Sequence, residues 1–261
     1  RFVVPVRSAH AGASRRYFGT QRGITWYHWM VDQQMDIHGI PVAGTLKDAP
    51  YVLDGLLEQE THHQPQELIT DTGGYSDIVF GLFRLLGYRF SPRLADLGDA
   101  RFWRLDRQSD YGVLDDLARH KANPALFTDD WNDVLRATGS LQMGTVKASA
   151  LIKSLHRAGR TSTLGRAIGE IGRIEKTLFL LSWVDDETYR RRTFTQLTRI
   201  EHRHRLANAI RFGRKGKMYQ AYREGQEDQL NALGLVLNMV VLWTTRYMNA
   251  ALGYLRESGF D

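Results

Sequence analysis

The spacing of apolar residues changes once along this chain, near Asp106, and that change limits the folds open to it. Ahead of it, short β-branched and aromatic runs sit between Gly, Pro and Ser. Arg1–Val6, Ile24–Val31 and Met35–Val42 predict strands, as do the shorter Glu67–Asp71, Tyr88–Phe90 and Phe102–Leu105. Ser8–Gly23 reads as a loop with a basic tip at Arg15, Arg16 and Arg22. Asp48 is placed to cap a helix over Ala49–Glu60, with Leu53, Leu56 and Leu57 on one face; Ser76 and Asp77 open another, through Leu86. Beyond Asp106 a period near 3.6 residues predicts helices over Gly112–Lys121, Thr128–Thr138, Val146–Ala158, Ser162–Leu181, Asp186–Arg211 and Glu227–Arg256. Pro124, Gly144, Gly159 and Gly213 mark the joints. The order implies a mixed α/β core into which helices are inserted.

Composition removes several classes. At 43% hydrophobic and 25% charged the chain is ordinary globular material, and 261 residues suffice for one large domain or two small ones. Without cysteine there is neither a disulfide framework nor a thiolate zinc site. Ala232–Trp243 is too short for a bilayer span of ~20 residues and reads as a buried core helix. The chain opens on Arg1 inside a strand-like run, which suggests a piece of a longer protein. Charge is lopsided: residues 1–150 hold 16 basic and 18 acidic side chains, net −2, and residues 151–261 hold 19 and 11, net +8. A basic half of this kind suits a polyanion, with nucleic acid ahead of a membrane.

Two carboxylates stand out. Asp71 closes a predicted strand before Thr72-Gly73-Gly74, where open α/β sheets place their ligands. Oxygen donors there suit a hard divalent cation, although an acid at that position also caps turns. Glu201 is the one acid in residues 188–223, among eleven Lys and Arg. It either pairs with Arg205 one helical turn on, worth ~0.3–0.5 kcal/mol, or serves as a metal ligand inside a phosphate-binding surface. Paired carboxylates can hold two Mg²⁺ ions ~4 Å apart at a phosphodiester. The expected phosphate contacts are Arg190, Arg191, Arg192, Arg199, Arg203, Arg205, Arg211, Arg214, Lys215 and Lys217, with Arg15, Arg16 and Arg22 behind them. His202 and His204 lie two apart and make a poor metal pair, and the tryptophans read mostly as core.

Several blocks then resemble the catalytic domain of the Tn-three family of replicative transposases. They are Asp48–Leu57, Thr70-Asp-Thr-Gly-Gly-Tyr-Ser-Asp77, Leu85–Arg93, Asp96–Asp99, Gly169–Leu178 and Gly225–Leu230, in order along essentially the whole chain. The resemblance implies a ribonuclease H-like fold: a core part over 1–108, a helical insertion over 109–185, and C-terminal helices over 186–261 that complete the core. It implies an Asp-Asp-Glu site using Mg²⁺, or Mn²⁺ in its place. Such enzymes cleave at transposon ends and join the 3′-hydroxyls to target DNA, forming a cointegrate. Asp71 falls at the family's second Asp. Glu201 falls at its Glu, although Ile200 stands where the family usually has Gly. The family's first Asp precedes the strand that resembles Arg1–Pro5, so this piece is expected to lack one metal ligand and to be inactive alone. The implied partners are the terminal inverted repeats, target DNA and a second copy of the full-length protein. The implied setting is the bacterial cytoplasm, with no membrane contact. A non-catalytic DNA-binding remnant and a nuclease of the same fold are the competing readings.

Overall fold

The computed structural model describes residues 1–261 except 9, 10, 45–48, 73, 95, 97, 99, 107, 158, 212–215, 220–225 and 261. The expected cap Asp48 and joint Gly213 therefore lie outside the described residues. In chain order the elements are β1 (Phe2–Val3), β2 (Gly12–Ala13), α1 (Arg15–Phe18), β3 (Arg22–Met30) and β4 (Asp36–Ala43). Then come α2 (Asp54–Glu58), β5 (Glu67–Thr70), α3 (Asp77–Leu85), β6 (Arg89–Pro92), β7 (Trp103–Arg104) and β8 (His120–Lys121). After these, α4 (Ala125–Asp129), α5 (Trp131–Gln142), α6 (Ala148–Leu155), β9 (His156–Arg157) and β10 (Arg160–Thr161) precede three long helices. Those are α7 (Thr163–Asp185), α8 (Glu187–Ile210) and α9 (Gln226–Glu257). The fold is mixed α/β, with small sheets, a large helical insertion and C-terminal helices, as the sequence predicts.

The chain divides into two compact units. One joins its two ends, Arg1–Leu46 with Thr198–Asp261; the other is Lys47–Leu197. In the first unit β3 is central, antiparallel to β1, β2 and β4. The β3–β4 register runs from Ile24↔Ala43 to Trp29↔His38, then shifts so that Met30 faces Asp36. The extra residue on β4 is Ile37, next to Asp36. Phe2, Val4, Ala11 and Ile24 pack against Met218, Leu230, Leu233 and Leu237. The three leucines are spaced to share one face of α9, and each buried side chain contributes ~1.5–3 kcal/mol. The apolar face does not continue as the sequence implies. Beyond Leu237, α9 leaves Leu242, Trp243, Tyr247, Met248, Leu252 and Tyr254 exposed, with Trp243 and Tyr247 stacked at 5.3 Å. No helix among the described residues is long and apolar enough to cross a membrane.

In the second unit β5 and β6 pair in parallel, from Glu67↔Arg89 to Thr70↔Pro92, with α3 as their crossover. Phe80 and Phe83 of α3 pack on Phe90 of β6 at 5.0 and 4.5 Å between ring centroids. The other side of α3 lies against α7 with almost no gap. A Cβ on Gly172 would sit 1.6 Å from the Asp77 carbonyl oxygen, and one on Gly81 2.2 Å from that of Ile168.

Gly112–Lys121 is not a helix. It holds a single 3₁₀ turn at Gly112–Leu114 and then β8, which pairs with β7. The aspartates decide this. Asp110 accepts from Gly112 N–H and Asp115 from Tyr111 N–H, so local side chains hold the backbone in turns. The apolar residues that set the apparent period find no core, and Val113 is 94% exposed. The Ser8–Gly23 loop contains β2 and the short α1. The predicted helix at Ala49–Glu60 is split into a 3₁₀ turn at Ala49–Tyr51 and α2.

Candidate active site

Asp71 is positioned by the β5–β6 pair. The Arg93 N–H donates to the Thr70 carbonyl at 2.7 Å, so both strands end together. Asp71 Oδ1 then lies 3.9 Å from Arg93 Nη1, and the Arg93 guanidinium also sits over the Phe194 ring. The Asp71 side chain is 72% exposed. It does not cap the next helix, because the cap of α3 is Ser76, whose Oγ accepts from Val79 N–H at 3.4 Å. At this exposure the Asp71–Arg93 pair contributes ~0–1 kcal/mol, so the carboxylate is loosely held and open to another cation. Sequence reasoning missed Arg93; its place after a strand parallel to β5 was the available signal.

Glu201 lies on α8 with its side chain 73% exposed. The group facing it is His204, with Nδ1 3.7 Å from Oε2. His204 Nε2 in turn is 3.2 Å from His28 Nε2, and the rings meet edge to face at 5.4 Å. His28 Nδ1 is 2.9 Å from Asp36 Oδ1. Asp36 Oδ2 accepts from Arg203 Nη2 at 2.7 Å, and Arg203 Nη2 also donates to Asn238 Oδ1 at 2.6 Å. Asn238 bonds the Asp36 backbone at both N–H and C=O, at 3.0 and 3.1 Å. Burial alone would raise the Asp36 carboxyl; the hydrogen bonds and charges of His28 and Arg203 outweigh it and hold the group below the usual carboxylate range. Burial, then the charge of His28, lowers the His204 imidazole against the upward pull of Glu201.

The described basic residues of this stretch differ in what each one meets. Arg203, expected at phosphate, differs from that expectation. Its side chain is 1% exposed and its guanidinium is spent on Asp36, Asn238 and the carbonyls of Gln34 and Gly234. Arg190 donates to the carbonyls of Trp183 and Val184 at the end of α7, a common use of Arg at a helix C-terminus. Arg192 is forked onto Glu67, and Arg191 pairs with Glu187 at 2.7 Å on the surface. The bond to Glu67 holds Arg192 above its ordinary value. Arg211 is half-buried over the Phe2 ring, and burial lowers its guanidinium. Arg199 is half-buried and donates to the Asp32 carbonyl at 3.1 Å, Arg205 is exposed, and Lys217 is half-buried. Arg15, Arg16 and Arg22 are exposed, while Arg214 and Lys215 lie outside the described residues.

Asp71 and Glu201 offer exposed carboxylate oxygens, the donor chemistry a hard divalent cation takes. Among the described residues no three His, Cys, Asp or Glu side chains are grouped to hold an ion. In its own unit, each carboxylate is exposed and loosely paired, Asp71 with Arg93 and Glu201 with His204.

Comparison with known proteins fits this chemistry. The family model "Tn3 transposase DDE domain" matches residues 1–261. The transposase for transposon gamma-delta of Escherichia coli (strain K12) is 55% identical over 259 residues, 99% of this chain and 26% of that protein. The transposase for transposon Tn4556 of Streptomyces fradiae is 47% identical over 261 residues, 100% of this chain and 29% of that protein. The transposase for transposon Tn1546 of Enterococcus faecium is 36% identical over 259 residues, 99% of this chain and 26% of that protein. The chain therefore spans about a quarter of the length of the curated relatives it matches. With a family match from first residue to last, and relatives this similar over nearly all of it, the chain belongs to the Tn3 transposase DDE domain family.

Proposed function

We propose that this chain is the phosphoryl-transfer part of a replicative transposase, with Asp71 and Glu201 as two of three carboxylate ligands to Mg²⁺. In this reading segments 1–108 and 186–261 form one ribonuclease H-like core around an insertion at 109–185. The observation that carries the proposal is the state of the two acids: both are over 70% exposed, Asp71 facing the Arg93 guanidinium at 3.9 Å and Glu201 the His204 imidazole at 3.7 Å. When bound, the divalent cation supplies the charge that activates the attacking oxygen and steadies the leaving one. Asp71 and Glu201 hold it in place. Arg93, Arg199 and Arg205 hold the DNA backbone by charge, and Arg191, whose surface pair with Glu187 is weak, exchanges that carboxylate for phosphate. The substrates are transposon-end and target DNA, and the full-length protein acts as a dimer in the cytoplasm.

The test is strand transfer by the full-length transposase on transposon-end DNA with Mg²⁺ or Mn²⁺. Asp71→Asn and Glu201→Gln each reduce turnover at least ~10³-fold while leaving salt-sensitive DNA binding in place. Full activity in either variant rejects that residue's assignment. Salt-sensitive binding by the wild type with no metal-dependent chemistry favours the non-catalytic reading instead.

A further inference from the structure

We infer that the β2–α1–β3 connection of the first unit is a surface for the backbone of duplex DNA of any sequence, with Arg15, Arg16 and Arg22 as its phosphate contacts. The inference rests on the reading of the chain as a DNA-handling domain, and on neither Asp71 nor Glu201. Residues 1–31 hold Arg1, Arg7, Arg15, Arg16 and Arg22 and no Asp or Glu, a net of +5 inside a half of the chain whose balance is −2. These arginines differ from those of α8. Arg190, Arg191, Arg192 and Arg203 spend their guanidinium groups on carbonyls or carboxylates of the protein itself. Arg15, Arg16 and Arg22 are exposed, and none of the three has an ion pair among the described residues.

The connection is held in shape from below. Phe18 is buried and lies on Gly23, where a Cβ would meet its ring at 2.4 Å. Tyr17 N–H and Phe18 N–H donate to the Ser14 carbonyl at 3.2 and 2.8 Å, Gly19 N–H to that of Arg15 at 3.2 Å, and Gln21 N–H to that of Phe18 at 3.0 Å. Gly19 closes the turn at a φ of 60°, which other residues rarely adopt. Ala13 faces Arg22 across the β2–β3 pair, so Arg22 stands beside the strand that leads into Arg15 and Arg16. Arg22 Nε donates to the Ala11 carbonyl at 3.2 Å, which fixes its stem. The exposed Tyr17 ring gathers cations: the guanidinium carbons of Arg1 and Arg16 lie 3.6 and 5.3 Å from its centroid. Cations assembled in advance repel one another until an anion arrives, and they lose little freedom when it does. The shape of the surface selects what it reads. With β2 two residues long and α1 a single turn, there is neither a helix nor a ribbon to enter a major groove. The guanidinium groups therefore meet phosphate oxygens, which carry no sequence information.

The experiment measures binding of the full-length transposase to a transposon-end duplex and to an unrelated duplex of equal length, between about 50 and 200 mM salt. Two triple variants are compared with wild type. One carries Arg15→Gln, Arg16→Gln and Arg22→Gln; the other carries Arg15→Lys, Arg16→Lys and Arg22→Lys. Hydrogen exchange over β3 accompanies each, so that binding is read on folded protein. Each phosphate contact contributes ~0.9 to the slope of log affinity against log salt. The Gln variant therefore loses ~2–3 in slope, and ~10-fold or more in affinity at about 0.1 M salt, on both duplexes alike. The Lys variant keeps its slope to within ~1, because a point charge suffices at a phosphate. A wild-type slope in the Gln variant overturns the inference, as does an equal loss in the Lys variant or a loss confined to the end duplex. Loss of binding to phosphatidylserine vesicles with the DNA slope unchanged assigns the patch to a membrane instead. A wild-type protein that binds neither duplex rejects the DNA reading itself, and the inference with it.

Discussion

Replacing Arg203 by Met tests the core of the first unit. The substitution keeps an apolar stem and removes a guanidinium that is 1% exposed. Its Nη2 reaches Asp36 at 2.7 Å, Asn238 at 2.6 Å and the Gly234 carbonyl at 3.3 Å, while Nη1 reaches the Gln34 carbonyl at 2.8 Å. Removing one member of a buried ion pair typically costs ~3–5 kcal/mol, because the other charge stays behind without compensation. His28 still bonds Asp36, which places the loss near the lower end. About 3 kcal/mol is more than a 100-fold rise in the opening constant. With two compact units, whole-chain unfolding need not be two-state. The measurement is therefore segment-resolved hydrogen exchange over β3 and β4, in wild type, Arg203→Met, Asp36→Asn and the double variant. The double variant is expected to lose less than the sum of the singles, with a coupling of at least ~1.5 kcal/mol. A loss below ~1 kcal/mol, or an additive cycle, would show that the Asp36–Arg203 pair does not hold the unit together.

Three further outcomes follow from the geometry. Because the folded state holds the Asp36 carboxyl below its ordinary ~3.9, its contribution to stability is complete above that value and is lost as pH falls through the lower folded one. Acid titration of β3–β4 protection between about pH 5 and 2 is therefore steeper in wild type than in Asp36→Asn, and equal slopes reject the assignment. Gly172→Ala, which on an open helix stabilises by ~1 kcal/mol, destabilises the second unit by ~3 kcal/mol or more, because its Cβ meets the Asp77 carbonyl at 1.6 Å; exchange in α3 and α7 reads this, and a stabilised variant contradicts it. Arg93→Ala in the full-length transposase lowers the salt slope of end-DNA binding by ~1, and an unchanged slope removes Arg93 from the phosphate contacts.

Regular, half-buried elements were readable in the sequence. The aromatic and β-branched run Ile24–Val31 gave β3 to within two residues, and the period through Ser162–Leu181 gave the start of α7, whose N-cap in the structure is Ser162. The place of Asp71 at a strand end was readable for the same reason. Direction was not. A 3.6 period marks Arg199, Arg203 and Arg205 alike as helical and basic, and only packing against Asp36 and Asn238 shows that Arg203 turns inward. His28 and Asp36 are eight apart in sequence on neighbouring strands, and their partner Asn238 is 202 residues beyond Asp36. No local pattern announces contacts of that range. In Gly112–Lys121 aspartate-to-backbone bonds beat helical spacing because that spacing had no core to face.

The bare half of α9 also gives the protein an optical handle. Trp243 is 66% exposed and stacked on Tyr247, whereas Trp29 and Trp183 are buried. A collisional quencher such as iodide therefore reaches Trp243 and leaves those two bright, and Trp131→Phe removes the other exposed indole. Anything that covers α9 shifts the Trp243 emission to the blue and shields it from iodide. The sequence thus carries its own fluorescent gauge of whether that helix is clothed or bare, with no dye attached.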